Sequence, residues 1–166
     1  MDAAHKTYWR IAEVVFGIPL LLAIMLHVIL PLSLPHGIVR RILMFVGIVL
    51  MISAIAVIVV ARREFTKHRQ PTDPHQPTSK IITTGIFALS RNPLYLGSAI
   101  FMLGLGFALN MVWIMIMLAP SLWLCQIVLI MPEERYLAAK FGDEYHAYMA
   151  TVQRWFGRSA HPQPKK

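Results

Sequence analysis

Long uncharged runs separated by short polar stretches dominate this chain. Val14 to Leu34 carries no Asp, Glu, Lys or Arg over 21 residues, and Ile42 to Ala61 carries none over 20. Each is long enough to cross a hydrocarbon layer of about 30 Å as a helix. Asn92 to Pro132 is uncharged for 41 residues, and as one straight helix it would reach roughly 60 Å, about twice that thickness. The run must fold back. Asn110 is the most polar residue near its middle, with 18 residues before it and 22 after, so the turn is predicted at Leu109-Asn110-Met111. The pattern predicts an all-α integral membrane protein with four transmembrane helices, at 11–34, 39–61, 93–109 and 111–131, in a single membrane domain over 1–166. The third and fourth form a hairpin.

The polar stretches read as connections on one side. Residues 62–92 are expected to be a cytosolic loop, because Pro71, Pro74 and Pro77 lie too close together for a continuous helix. Gly85 permits a tight bend. Asn92-Pro93 has the form of a helix start, with Asn as the cap and Pro at the first helical position, where no N–H is missed. Pro132-Glu133-Glu134 opens a further helix with its acids in the first turn, where the macrodipole favours them. Residues 132–157 are apolar every three to four positions, at Leu137, Phe141, Tyr145, Met149, Val152 and Phe156. They predict a cytosolic amphipathic helical segment, interrupted at Phe141-Gly142-Asp143 and closing over the approach to Asn92.

Charge supports that orientation. The 57% hydrophobic and 14% charged composition is too apolar for an ordinary soluble domain. The net charge of +8 sits at the ends of apolar runs and not in a patch interleaved with aromatics, which argues against nucleic acid. With both termini in the cytoplasm, 14 Lys and Arg residues are inside and only Arg40 and Arg41 outside, a strong positive-inside bias. Arg62 and Arg63 read as headgroup anchors. Cys125 is the only cysteine, so disulfides and cysteine metal sites are excluded. His27 reads as a packed polar residue, His146 as a surface residue, and Gly104-Leu105-Gly106 as close helix packing, since no strand precedes it.

The hairpin makes neighbours of Arg91-Asn92-Pro93, where it begins, and Glu133-Glu134-Arg135, where it ends. A helix start with free N–H groups suits a carboxylate, and paired acids suit an amine or sulfonium, so a zwitterion fits between them.

These blocks resemble a known family. Ile82-Thr83-Thr84-Gly85-Ile86-Phe87, Arg91-Asn92-Pro93-Leu94-Tyr95-Leu96-Gly97 and Glu133-Glu134-Arg135-Tyr136-Leu137 through Phe141-Gly142-Asp143-Glu144-Tyr145-His146-Ala147-Tyr148 look like the isoprenylcysteine carboxyl methyltransferase and phospholipid methyltransferase superfamily. The likeness covers about residues 80–155. It implies a membrane methyltransferase, in a bacterial inner membrane, that takes S-adenosylmethionine from the cytosol and a lipophilic small-molecule or lipid-modified acceptor from the bilayer. It also implies a cofactor pocket at Gly85, Arg91, Asn92, Pro93, Tyr95, Gly97, Glu133 and Glu134, with Arg91 and Glu134 catalytic and no metal. The chain departs from the carboxyl methyltransferases at Asn92, where they usually carry histidine; phospholipid N-methyltransferases show Asn-Pro-x-Tyr there. Isoprenylcysteine acid, phospholipid amine and lipophilic thiol therefore all stand as acceptors, with Glu133, Glu134 or His146 as base where one is needed. A nicotinamide-dependent membrane reductase and a non-catalytic scaffold are the alternatives.

Overall fold

The computed structural model describes residues 8–68 and 80–159, with the side chains of the first helix from Val14 onward. Lys6, Arg69, Lys165 and Lys166 of the charge argument, and Pro71, Pro74 and Pro77, lie outside the described residues. Six α-helices follow in order: α1 (Tyr8–Ile29), α2 (Ile38–Lys67), α3 (Pro93–Leu109), α4 (Val112–Leu124), α5 (Met131–Phe141) and α6 (Asp143–Thr151). A 3-10 turn at Gly85–Ala88 precedes α3, and a widened π-helical segment, Cys125–Ile130, joins α4 to α5.

Two stretches of 30 residues, Ile38–Lys67 and Val112–Phe141, are long and apolar enough to cross a membrane, and Val14–Ile29 and Pro93–Leu109 are shorter apolar helices. Only 11% and 28% of the most apolar windows of the two long helices are buried inside the protein. Leu21, Val28, Phe45 and Ile52 stand more than 60% exposed. A core helix of a soluble domain would hide such a surface, and one this large and this apolar needs lipid to cover it.

The helices differ from the sequence expectations at three places. Arg62–Lys67 is the end of α2 and not loop, because no proline occurs before Pro71 and Glu64 bonds both Lys67 (3.8 Å) and His68 (3.6 Å) across one turn. Pro132 stands at the start of α5 with Glu133 and Glu134 in the first turn, as expected, but no break sets that helix off from α4. The backbone runs as one helical stretch from Val112 to Phe141, and the π-helical turn just before Pro132 loosens the i→i−4 ladder where proline has no N–H to give. The last helix ends at Thr151, and Val152–Ser159 is a non-helical strap that doubles back on itself, closed by an isolated bridge between Val152 and Arg158. Gly142 separates α5 from α6 at φ 54°, which glycine adopts without strain.

The hairpin turn falls where expected. Asn110 adopts the left-handed conformation at φ 59°, and its side-chain oxygen accepts from the Leu34 N–H at 2.9 Å. Trp113 donates to the Leu30 carbonyl at 2.7 Å. The α1–α2 connection is thereby pinned onto the turn.

Glycine governs how closely the helices approach. A Cβ on Gly47 would lie 2.5 Å from the Ala108 nitrogen and 2.6 Å from the Gly104 oxygen, and one on Gly104 would lie 2.7 Å from the Gly47 oxygen. α2 and α3 therefore touch backbone to backbone, while α1 packs chiefly on α4. Gly47→Ala is expected to cost about 1–3 kcal/mol by forcing these backbones apart, lowering the midpoint of thermal unfolding in mild detergent. Gly17→Ala, whose new methyl meets nothing within 4 Å, leaves the midpoint unchanged or slightly raised; equal losses in the two variants would refute the packing role.

Candidate functional site

The end of the bundle where α3 begins holds a connected set of polar side chains. Arg154, on the strap, forks onto Glu134 of α5 with Nε donating to Oε1 at 3.0 Å and Nη2 to Oε2 at 2.7 Å. Arg91, just before α3, reaches the same carboxylate, Nη2 to Oε1 at 3.2 Å. The Glu134 side chain is 12% exposed, that of Arg91 10% and that of Arg154 33%. One carboxylate between two guanidiniums leaves a surplus positive charge. Tyr145 is buried beside them, and burial, with the negative charge of Glu134, pushes its phenol up to about 12.

The surroundings fix this geometry. The Arg91 N–H donates to the Gln153 carbonyl at 3.1 Å, the Gly157 N–H to Leu89 at 2.7 Å, and the Tyr148 hydroxyl to the Phe87 carbonyl at 2.7 Å. The strap and α6 are thus stitched across the 3-10 turn, as the closing segment foreseen over the approach to Asn92. Burial, with the neighbouring Tyr145, raises the Tyr148 phenol well above its ordinary range.

Two donors of Arg91 remain over. Its Nε and Nη1 are buried and have no hydrogen-bond partner among the described residues. A buried donor left unsatisfied costs about 1–3 kcal/mol, more for a charged group. Neither takes part in the Glu134 contact, and a planar fork of this kind has the geometry to pair with a carboxylate or phosphate.

The other residues named from sequence divide into two groups. Glu133 is exposed on α5, and its Oε2 accepts from the Tyr95 hydroxyl at 3.4 Å, so both glutamates and Tyr95 gather with Arg91. Pro93 is fully buried at the first position of α3. Asn92 precedes it but makes no side-chain cap; its amide donates instead to the Arg154 carbonyl at 3.0 Å, while its N–H donates to the Ser90 hydroxyl at 3.1 Å. That bond turns the side chain toward the strap, and its oxygen caps no N–H of α3. Gly97 faces α2, where a Cβ would lie 2.6 Å from Ile58. Gly85, at φ 60°, faces the Glu64 carboxylate, 2.7 Å from a Cβ placed there, in a separate group with Thr84, whose hydroxyl donates to Glu64 at 3.2 Å. Those two glycines serve helix and turn packing. Arg154 and Ser90 were missed. The signal for Arg154 was Glu134 itself, an acid too enclosed to stand with one partner.

An all-helical protein with lipid-demanding helices and an arginine-bound carboxylate at one end of a helical hairpin defines the class: a membrane protein with a polar site at the end of its bundle. The phospholipid methyltransferase family model matches residues 41–144, more than half of the chain and both halves of that site except the strap. The chain belongs to the phospholipid methyltransferase family, and as such is a membrane methyltransferase. No curated protein and no solved structure matches it.

Glu134→Gln keeps the shape and removes the charge that holds two arginines. Amide exchange at Arg91, Gln153 and Gly157 is expected to quicken about tenfold or more as the strap loosens, with the α2 and α3 interiors unaffected. Unchanged protection at those three amides would show that Glu134 does not hold the strap.

Proposed function

We propose that this chain is an S-adenosylmethionine-dependent methyltransferase whose cofactor pocket is formed by Arg91, Tyr95, Glu133 and Glu134, and whose acceptor is lipophilic and reaches it from the bilayer. The observation that carries this reading is the pair of unpartnered buried donors on Arg91, beside two glutamates, in a member of the phospholipid methyltransferase family. The residues fit the cofactor's chemistry. Its carboxylate matches the open Arg91 fork, its amine or ribose hydroxyls match the exposed Glu133 oxygens, and its sulfonium suits the face of Tyr95.

When bound, the cofactor supplies a methyl group on a positively charged sulfur. Passing that methyl to the acceptor atom would leave the sulfur as a neutral thioether. What the protein adds is alignment and exclusion of water. Arg91, locked by Glu134 and by the Gln153 carbonyl, orients the anionic end, and the strap covers the approach. An amine or thiol acceptor also gives up a proton. Glu133 and His146 are both exposed, but Glu133 touches Tyr95, which lines an apolar cleft; Glu133 is the base we favour.

The same reading sets the topology. Four spans, α1, α2, α3 and the stretch from Val112 to about Met131, put the polar site, both termini and residues 62–92 on the cytosolic side, consistent with the positive-inside bias. The chain is then one multi-pass domain of a bacterial inner membrane.

Calorimetric titration of the purified protein with S-adenosylhomocysteine checks the pocket. Binding is expected, with NADPH giving none, and Arg91→Ala is expected to weaken it at least about tenfold, the worth of a charge-assisted hydrogen bond. An unaltered affinity in Arg91→Ala would overturn the pocket, and binding of NADPH alone would favour a reductase.

A further inference from the structure

A second feature lies beside the polar site. Because α3 is drawn onto α2 by their glycines while α1 packs chiefly on α4, a cleft of about 480 Å³ opens between α1 and the α2–α3 pair. Phe16, Leu20, Ile58 and Leu105 give it apolar walls, and Tyr95 and Arg62 stand at the end nearest the polar site. Along α3 the lining runs from Leu94 to Leu105, about 16 Å at the rise of an α-helix. That is close to half of a hydrocarbon layer of about 30 Å, the depth of one acyl chain in one leaflet.

Arg62 is the single charged residue of this lining. Its side chain has no hydrogen bond or ion pair among the described residues. The nearest acid along α2, Glu64, is already held by Lys67, His68 and Thr84. Arg63, the next residue, is equally placed to meet headgroups but does not line the cleft. Arg62 is thus an exposed cation without an acidic partner among the described residues, at the mouth of an apolar slot, a pairing of charge and hydrocarbon that matches an amphiphile with an anion at the end of its chain.

We propose that Arg62 holds the phosphate of a phospholipid acceptor whose acyl chain occupies this cleft, setting the headgroup against Tyr95 and Glu133. This rests on the methyltransferase reading and gives it a specificity-determining residue: Arg62 selects lipids bearing a phosphate between the chain and the reacting group. The cofactor's anionic end goes to Arg91 and the acceptor's to Arg62, on either side of Tyr95.

The test uses the full chain in neutral detergent, as wild type, Arg62→Gln, Arg62→Lys and Arg63→Gln. Dioctanoylphosphatidylethanolamine and dioctanoylglycerol, which share acyl chains and differ in the phosphate-bearing headgroup, are titrated against each, with S-adenosylhomocysteine in parallel. Wild type is expected to prefer the phospholipid about tenfold or more, the worth of one charge-assisted contact. Arg62→Gln abolishes the preference, Arg62→Lys keeps part of it, Arg63→Gln keeps all of it, and S-adenosylhomocysteine affinity is the same throughout. A wild type without preference, a preference that survives Arg62→Gln, or an equal loss in Arg63→Gln overturns the proposal. Failure of the wild type to bind S-adenosylhomocysteine instead overturns the methyltransferase reading, and the phospholipid preference still decides the role of Arg62.

Discussion

The contact between Glu134 and its two arginines ties together parts of the chain that local structure alone would leave apart. Arg91 lies before the hairpin, Glu134 after it and Arg154 on the strap, so one carboxylate fixes both the antiparallel return of the hairpin and the position of the segment that covers it. The Glu134 and Arg91 side chains are about nine-tenths buried, and a charge so enclosed is costly unless paired. The bidentate fork from Arg154 meets that demand for Glu134. For Arg91 it is met only in part. The guanidinium is held by one terminal nitrogen, Nη2, on Glu134, while Nη1 and Nε stay without a partner among the described residues.

Helix packing decides where the apolar side of the site lies. Gly47 and Gly104 bring α2 and α3 into backbone contact, and Gly97 lets Ile58 settle against α3. Small residues do this in membrane helices because lipid provides no hydrophobic drive between them, and close van der Waals approach must serve instead. With α3 committed to α2, and α1 docked on α4 and pinned by Asn110 and Trp113 at the far end, the remaining space falls between the two pairs. The cleft is a consequence of which helices carry glycine.

Much of this is legible in the sequence because a bilayer leaves few alternatives. A 41-residue uncharged run has to turn, Asn110 is the residue able to turn it, and the polar clusters at its ends must then meet. The bundle end, the two glutamates and Arg91 follow from that, and the family resemblance adds Tyr95. What the sequence concealed are effects of tertiary competition. Asn92 has the composition of a cap, yet the Arg154 carbonyl takes its amide. Pro132 has the look of a helix start, yet the π-helical turn carries the helix through it. Gly85 and Gly97 sit inside the family-like blocks, yet their neighbours are Glu64 and Ile58. Arg154 lies 20 residues beyond Glu134, in a strap without periodicity, and no local pattern marks its partner.

The proposed transfer from a water-soluble donor to a lipophilic acceptor requires that the reactants meet at the boundary between two solvents, and helix length bears on where that boundary would fall. Both long helices have 30 residues, about 45 Å, against about 30 Å of hydrocarbon. Each therefore projects some 15 Å of surplus if its apolar part is to be covered. At this end of the bundle α2 carries Arg62–Lys67, about 9 Å of that surplus, and the Val112–Phe141 helix carries Glu133–Phe141, about 13 Å. Tyr95 stands between these two segments, with its hydroxyl on Glu133 and its flank in the apolar cleft. A residue so placed can touch a polar donor on one side and a hydrocarbon-borne acceptor on the other without either partner leaving its own solvent.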